Sequence, residues 1–462
     1  MNDYKSIKIT YIGGGSRGWA RTLMNDLAKE GEIGGEVRLY DIDKQAARDN
    51  AVIGNMLSAR EDVVGKWQYK AVDGLDEALV GADFVVISVL PGTFDEMESD
   101  VHTPEKYGIY QSVGDSTGPG GIVRALRTLP MFVEFARAIE RCAPNAWVIN
   151  FTNPMSLCVD ILYRVFPKIK AFGCCHEVFA TQKLLAALLK LETGLEVSHQ
   201  EIDVNVLGIN HFTWVDRAHY KNIDLMPILD KFVKEHPEGI DINDTKHWVQ
   251  THGLTNELVK FDLYKRYGVL AAAGDRHLAE FCPGKWYLES PEKVAEYGFA
   301  LTSVKWRKES LGDRYEKTKQ LLEGKPFQLF DSGEESVRQI KALLGLGNFV
   351  TNVNVPNCGQ QDGLPLGAIV ETNAYFSGDC VTPLYAGKLP TGPLSMVQRI
   401  CACQELTARA VMEEDYELAF QAFINDPNVA LSKEDARKLF DEMLYNTRKY
   451  LPAYEKYVAN RN

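Results

Sequence analysis

A thiol, an imidazole and a carboxylate follow one another in Gly173-Cys174-Cys175-His176-Glu177-Val178, between an apolar run, Ile169 to Phe172, and a helical pattern, Phe179 to Leu191. They fall where a strand hands over to a helix, the edge of an open parallel sheet at which ligands bind. A cysteine there can be core packing, a nucleophile or a metal ligand. His211, in Ile209-Asn210-His211-Phe212, is the imidazole that could complete a site. If Cys175 and His211 meet in space they supply two protein ligands and leave positions open for substrate oxygens and water. A second concentration of chemistry is Gly274-Asp275-Arg276-His277, close to Glu280. In a hydroxy-acid dehydrogenase, His277 paired with Asp275 would take the alcohol proton and Arg276 would clamp the substrate carboxylate. Adjacent residues on a helix point to different faces, so the local cluster by itself makes a poor triad. Cys174, Cys401 and Cys403 read as packing residues, because Cys401-x-Cys403 lies in a helical run with no second pair to complete a zinc site.

The elements that must position these groups alternate strand and helix. Lys8-Ile9-Thr10-Tyr11-Ile12 reads as a strand and runs straight into Gly13-Gly14-Gly15-Ser16-Arg17-Gly18. That spacing, between a strand and a helix, fits a dinucleotide turn: Gly13 for the tight turn, Gly15 for backbone close to a pyrophosphate, Ser16 within the turn, and Gly18 for close helix–strand packing. The second strand, Glu36 to Tyr40, ends in Asp41. A carboxylate there accepts from both ribose hydroxyls and repels a 2'-phosphate, which favours NAD over NADP. Phe84 to Val89 is a continuous apolar run, as expected of a strand buried on both faces. The stretch Gly114 to Gly121, with Gly118-Pro119-Gly120-Gly121, offers backbone that can approach a ligand before the helical pattern Ile122 to Cys142. Trp147 to Phe151 is a further strand, and Asn153 follows it as a helix cap or a polar group facing the cleft.

The fold class expected is therefore α/β: a Rossmann-like doubly wound parallel sheet followed by a mixed α+β C-terminal domain, a lactate/malate dehydrogenase-like architecture. The division is expected near residue 195, giving a dinucleotide-binding domain over 1–195 and a substrate, metal and oligomerisation domain over 196–462. In the second, Ile202 to Gly208, Phe349 to Val355 and Gly367 to Thr372 read as strands, and 225–325 is mostly helical in pattern. At 45% hydrophobic and 25% charged residues the chain has the composition of an ordinary globular protein. A net charge of −12 argues against nucleic acid or an anionic membrane as partner. No run is apolar enough to span a bilayer, and the N-terminus has no secretory pattern. Nine scattered cysteines without a disulfide framework fit a reducing cytoplasm.

Taken in order along the chain, Gly13-Gly14-Gly15-Ser16, Asp41, Lys106-Tyr107-Gly108, Gly118-Pro119-Gly120-Gly121, Asn150-Phe151-Thr152-Asn153-Pro154, the Cys-His stretch and Gly208-Ile209-Asn210-His211 resemble glycoside hydrolase family 4. The resemblance implies NAD and a divalent metal, Mn2+ or another, held by Cys175 and His211, with Asn153 and Asn210 lining the sugar site. It also implies a mechanism unlike the usual two-carboxylate glycosidase. NAD oxidises the C3 hydroxyl, a base removes the acidified C2 proton, the C1 leaving group departs, water adds, and the reduced cofactor restores C3. Cys175-His176 in place of Cys-Asp points to the branch that takes unphosphorylated sugars, with Asp275 as base and His176 as acid or leaving-group contact. Cys175-His176-Glu177-Val178 as a unit resembles the α-galacturonidase branch, so the expected partner is a small-molecule α-galacturonide whose carboxylate Arg276 would fork. Glu177, out of place beside an anionic substrate, is expected in the metal's outer shell. The alternatives are an α-glucosidase or α-galactosidase of the same family, an NAD-dependent 2-hydroxy-acid dehydrogenase, or a non-catalytic NAD-sensing protein. Family members commonly form a homodimer or homotetramer.

Overall fold

The computed structural model describes residues 4–240 and 256–458. The part of the helical expectation for 225–325 that falls on 241–255 lies outside the described residues. The core is a nine-stranded sheet. Six strands are β1 (Ile7–Ile12), β2 (Gly35–Tyr40), β3 (Trp67–Val72), β4 (Phe84–Ile87), β5 (Trp147–Asn150) and β6 (Lys170–Gly173). They are mutually parallel in the order β3-β2-β1-β4-β5-β6. That is the doubly wound order, in which ligands collect at the carboxyl ends near the reversal between β1 and β4. β4 is buried at every position, as its unbroken apolar run requires.

The sheet does not stop at residue 195. Phe349–Pro356, Ile369–Ser377 and Cys380–Pro383 continue it beyond β6 as antiparallel strands. Gly173 makes the junction: a Cβ there would lie 2.7 Å from Met155 Cγ and 3.0 Å from Asn354 Cβ. The two halves of the chain thus share one hydrophobic core, in which Ile9, Val37 and Val86 cluster with Ile340, Val353 and Phe376. Asp203–Ile209 and Phe212–Tyr220 pair as a hairpin of a second sheet, and the short strand Leu270–Ala271 lies on its other side. C-terminal helices, Thr391–Glu413, Tyr416–Asn425 and Lys433–Thr447, pack with one another and with the long helix Gly118–Cys142. Among the described residues no helix is long and apolar enough to cross a membrane.

Candidate active site and metal centre

The dinucleotide turn follows from steric limits. Gly13 has φ +97°, and a Cβ on it would lie 1.9 Å from Ser88 O, so only glycine fits. The packing glycine is Gly14, whose added Cβ would meet Leu39 Cα at 2.7 Å. This corrects the role expected for Gly18, which caps the helix Trp19–Ala28 and whose nearest neighbour would be Arg314 Nη1 at 3.8 Å. The Gly15 amide donates to Asp41 Oδ2 at 2.8 Å and the Asp43 amide to Asp41 Oδ1 at 2.9 Å. Asp41 is therefore held at the end of β2 beside the turn, with Ile42 87% exposed next to it. Ser16 Oγ accepts from the Trp19 amide at 3.1 Å.

Three side chains from three separate segments converge near the ends of β5 and β6: Asp115, His211 and His277, whose ligand atoms all lie within 4.8 Å of one another. Asp115 is on the loop before the helix Gly118–Cys142, and that loop is tied down from the far side. Glu280 Oε1 accepts from the Val113 and Gly114 amides, each at 2.8 Å, and Arg276 donates to Ser112 O. His211 sits in the two-residue turn of the hairpin, where Ile209 pairs with Phe212. Its φ is +62°, a left-handed conformation that costs a non-glycine residue about 1 kcal/mol or more and recurs at functional sites. His277, on the helix Asp275–Phe281, lies against His211 with ring centroids 3.8 Å apart and the planes tilted by 36°.

The electrostatics suit a cation. Burial, then His277, lowers His211 to about 3, so its imidazole is neutral and keeps a lone pair to give. Burial alone would raise Asp115 and Glu177. For Asp115 this is outweighed by Arg124, His211 and His277, and for Glu177 by His277, His211 and His176, which holds each carboxyl at about 2. His211 Nδ1 lies 3.0 Å from Ser116 Oγ, while His277 Nδ1 is buried with no partner. Two imidazoles and one carboxylate, with an orphaned ring nitrogen among them, form a donor set that fits a divalent transition metal. Glu177 stands behind the cluster: Oε2 accepts from the Gly274 amide at 2.8 Å and Oε1 is 3.7 Å from His277 Nε2.

Not every expected group is gathered here. Cys175 is outside the trio. It packs with Met155, Val159 and Ile369, and burial, then Glu371 and Glu177, push its thiol well above its ordinary range. The physical reason is the hairpin turn: Asn210 reaches Glu371 Oε2 at 3.2 Å, on the Cys175 side, while the next residue, His211, meets Ser116. Asp275 is not at the cluster either. It is fully buried, and its two oxygens accept from the Val259 and Lys260 amides at 3.0 and 3.1 Å, capping the helix Leu258–Tyr267. Burial, then Glu257, raises its carboxyl. Arg276 spends its guanidinium on Ser112 O and on Thr302 Oγ1 at 2.9 Å. His176 lies half-exposed at the cleft mouth, with Nδ1 3.3 Å from Glu334 Oε1, and that hydrogen bond raises its pKa. Asn153 donates to Asp115 Oδ2 at 3.3 Å, and the Oδ1 atoms of Asn153 and Asn210 are buried without partners.

Asp115 lies in the stretch Gly114 to Gly121, whose glycines point to a ligand loop, but nothing local in the sequence singles it out as a ligand. From sequence, His277 reads only as a dehydrogenase base. Glu371 and Glu334, which contact Asn210 and His176, carry no local sequence signal at all.

Comparison with known proteins supplies the family. Residues 8–191 match the family described as Family 4 glycosyl hydrolase, and residues 206–429 match its C-terminal domain. An alpha-galacturonidase of Thermoanaerobacterium saccharolyticum is 61% identical over 452 residues, covering 97% of each chain. A crystal structure of a Bacillus subtilis protein carrying a provisional glucosidase assignment superposes with a TM-score of 0.90 at 49% identity, over 95% of this chain and 100% of that one. A 6-phospho-alpha-glucosidase from gut microorganisms, solved with NAD and Mn2+, shares the fold at a TM-score of 0.79 and 20% identity, over 96% of this chain and 99% of that one. With both halves of the family matched and nearly the whole chain aligned to relatives, this chain belongs to the family 4 glycosyl hydrolases.

Proposed function

We propose that the protein hydrolyses α-galacturonides with NAD and a divalent metal, the cofactor being regenerated in each cycle. The observation that carries this reading is the Asp115, His211 and His277 cluster lying at the same sheet edge as the dinucleotide turn. A simple dehydrogenase would not need a metal cluster there. The substrate class rests on the relative at 61% identity, named an alpha-galacturonidase, and on the resemblance of Cys175 to Val178 to that branch.

When bound, the dinucleotide accepts and returns the C3 hydride, and the divalent ion brings positive charge to the neighbouring sugar oxygens. The residues of the chain bind, orient and move protons. Gly13 lets the backbone turn tightly where the pyrophosphate would bind, and Asp41, fixed by two amides, would accept from the ribose hydroxyls. Asp115, His211 and His277 are the residues that would hold the ion. The unpartnered Oδ1 atoms of Asn153 and Asn210 accept from sugar hydroxyls. His176, whose pKa the hydrogen bond to Glu334 raises, is the group from which the leaving oxygen would take a proton. Asp275 is not assigned the C2 proton, because its oxygens are engaged by amides. The nine free cysteines support a reducing, cytoplasmic setting.

The test is a panel of nitrophenyl α-glycosides (galacturonide, glucoside, galactoside and 6-phosphoglucoside) with NAD and manganese. The galacturonide should be turned over fastest, with solvent exchange at C2, loss of activity in chelator and no accumulation of NADH. NADH formed in step with product would replace this reading by a dehydrogenase. The provisional glucosidase assignment of the Bacillus subtilis structure favours the glucoside as the second candidate, and the same panel decides between them.

A further inference from the structure

Several arginines around the cluster are committed to the protein. Arg276 bonds Ser112 O and Thr302 Oγ1, Arg124 donates to Asn153 O at 3.3 Å, and Arg127 pairs with Asp100 in the core. Arg307 is half-buried, and its guanidinium has, among the described residues, no hydrogen bond and no ion pair. Burial lowers its pKa. Asp115 of the cluster works against that, while Arg276 and Arg314 add to it. The group is therefore partly dehydrated, has no carboxylate of its own, and lies within electrostatic reach of Asp115. A guanidinium in that state is costly until an anion reaches it.

Its position is fixed from both sides. Arg307 is in the first turn of the helix Val304–Leu322, whose cap Ser303 accepts from the Trp306 amide. Just before the helix, Thr302 Oγ1 donates to Ser112 O at 2.8 Å, on the loop that carries Asp115. Just after Arg307, Lys308 pairs with Asp95 at 2.6 Å and with Glu98, on the helix Phe94–His102. Val304 is buried against Met97 and Val101 of that same helix. The helix cannot roll without breaking these ties, so the fork is presented ready-made.

We propose that Arg307 binds the C5 carboxylate of the substrate and selects galacturonides over the neutral galactosides, which carry a hydroxymethyl group at that carbon. The assignment rests on the reading of the protein as an α-galacturonidase. A planar fork of N–H donors matches a carboxylate bidentately and has nothing equivalent to offer a hydroxymethyl group. It takes over the role that sequence spacing gives to Arg276.

The experiment measures kcat/KM of wild type, Arg307→Gln and Arg307→Lys on nitrophenyl α-galacturonide and nitrophenyl α-galactoside, with NAD binding followed by fluorescence as a check of folding. The ratio of galacturonide to galactoside kcat/KM should fall roughly 100-fold in Arg307→Gln, mainly through KM, and by less in Arg307→Lys, which keeps the charge without the fork. Wild-type turnover of the galacturonide with an unchanged ratio in Arg307→Gln overturns the assignment alone. A wild type that does not turn over the galacturonide overturns the reading beneath it and the assignment together. If Arg307→Gln binds no NAD, Arg307→Lys decides: an unchanged ratio there overturns the assignment, and a reduced one supports it.

Discussion

Replacing Asp275 by asparagine separates two roles that one carboxylate cannot hold together. In the structure its oxygens accept from two backbone amides, at 3.0 and 3.1 Å, in a fully buried position. An asparagine keeps one acceptor and turns a second donor towards the other amide. The substitution thus removes one charge-assisted hydrogen bond, about 1.5–3 kcal/mol, and leaves a buried N–H without a partner, about 1–3 kcal/mol more. Because the two terms overlap, the expected loss is about 2–4 kcal/mol. It should appear as a melting temperature lowered by several degrees, with weakened protection of the amides at the start of the helix Leu258–Tyr267. The decisive assay is exchange of the substrate C2 proton in heavy water, scaled to the folded fraction. A cap predicts that the folded Asp275→Asn variant still exchanges. A variant that melts like wild type, binds NAD and exchanges nothing would refute the reasoning and return Asp275 to the role of base.

Two further predictions concern the cluster and the loop that carries it. His277→Ala should weaken manganese binding by about 10-fold or more, whereas Cys175→Ser should leave it within a few-fold; calorimetric titration of both variants checks this, and the reverse order would place the ion on the Cys175 side. Burial pushes the Glu280 carboxyl up from its ordinary value of 4.5 to about 8, so the folded protein holds a proton that the unfolded chain releases. The stability it contributes is fully present below pH 4.5 and is lost as pH rises through about 8, on the order of several kcal/mol across the window. Glu280→Gln keeps an acceptor for Val113 and Gly114 and should flatten that fall between about pH 5 and about pH 8, as followed by melting temperature in the presence of chelator.

The sequence by itself determines the parallel-sheet half with its dinucleotide turn and the sheet edge at which the candidate site gathers. The reason is that βαβ units are local: Gly13 and Asp41 lie at the ends of adjacent parallel strands joined by one helix, so their meeting follows from chain order. The same alternation puts Asn153 and Cys175 at the ends of β5 and β6. Only the tertiary structure decides who meets whom across long separations. Ser112 and Arg276 are 164 positions apart and Ser116 and His211 are 95 apart, and their contacts close the cluster around Asp115. No periodicity records such closures, because each depends on how whole loops pack. Even neighbours are sorted at this level. Asp275 and His277 stand about 200° apart around a helix, so when one faces the metal cluster the other must face the core. That rotation, invisible in the run Gly274 to His277, makes His277 the ligand candidate and leaves Asp275 as the cap.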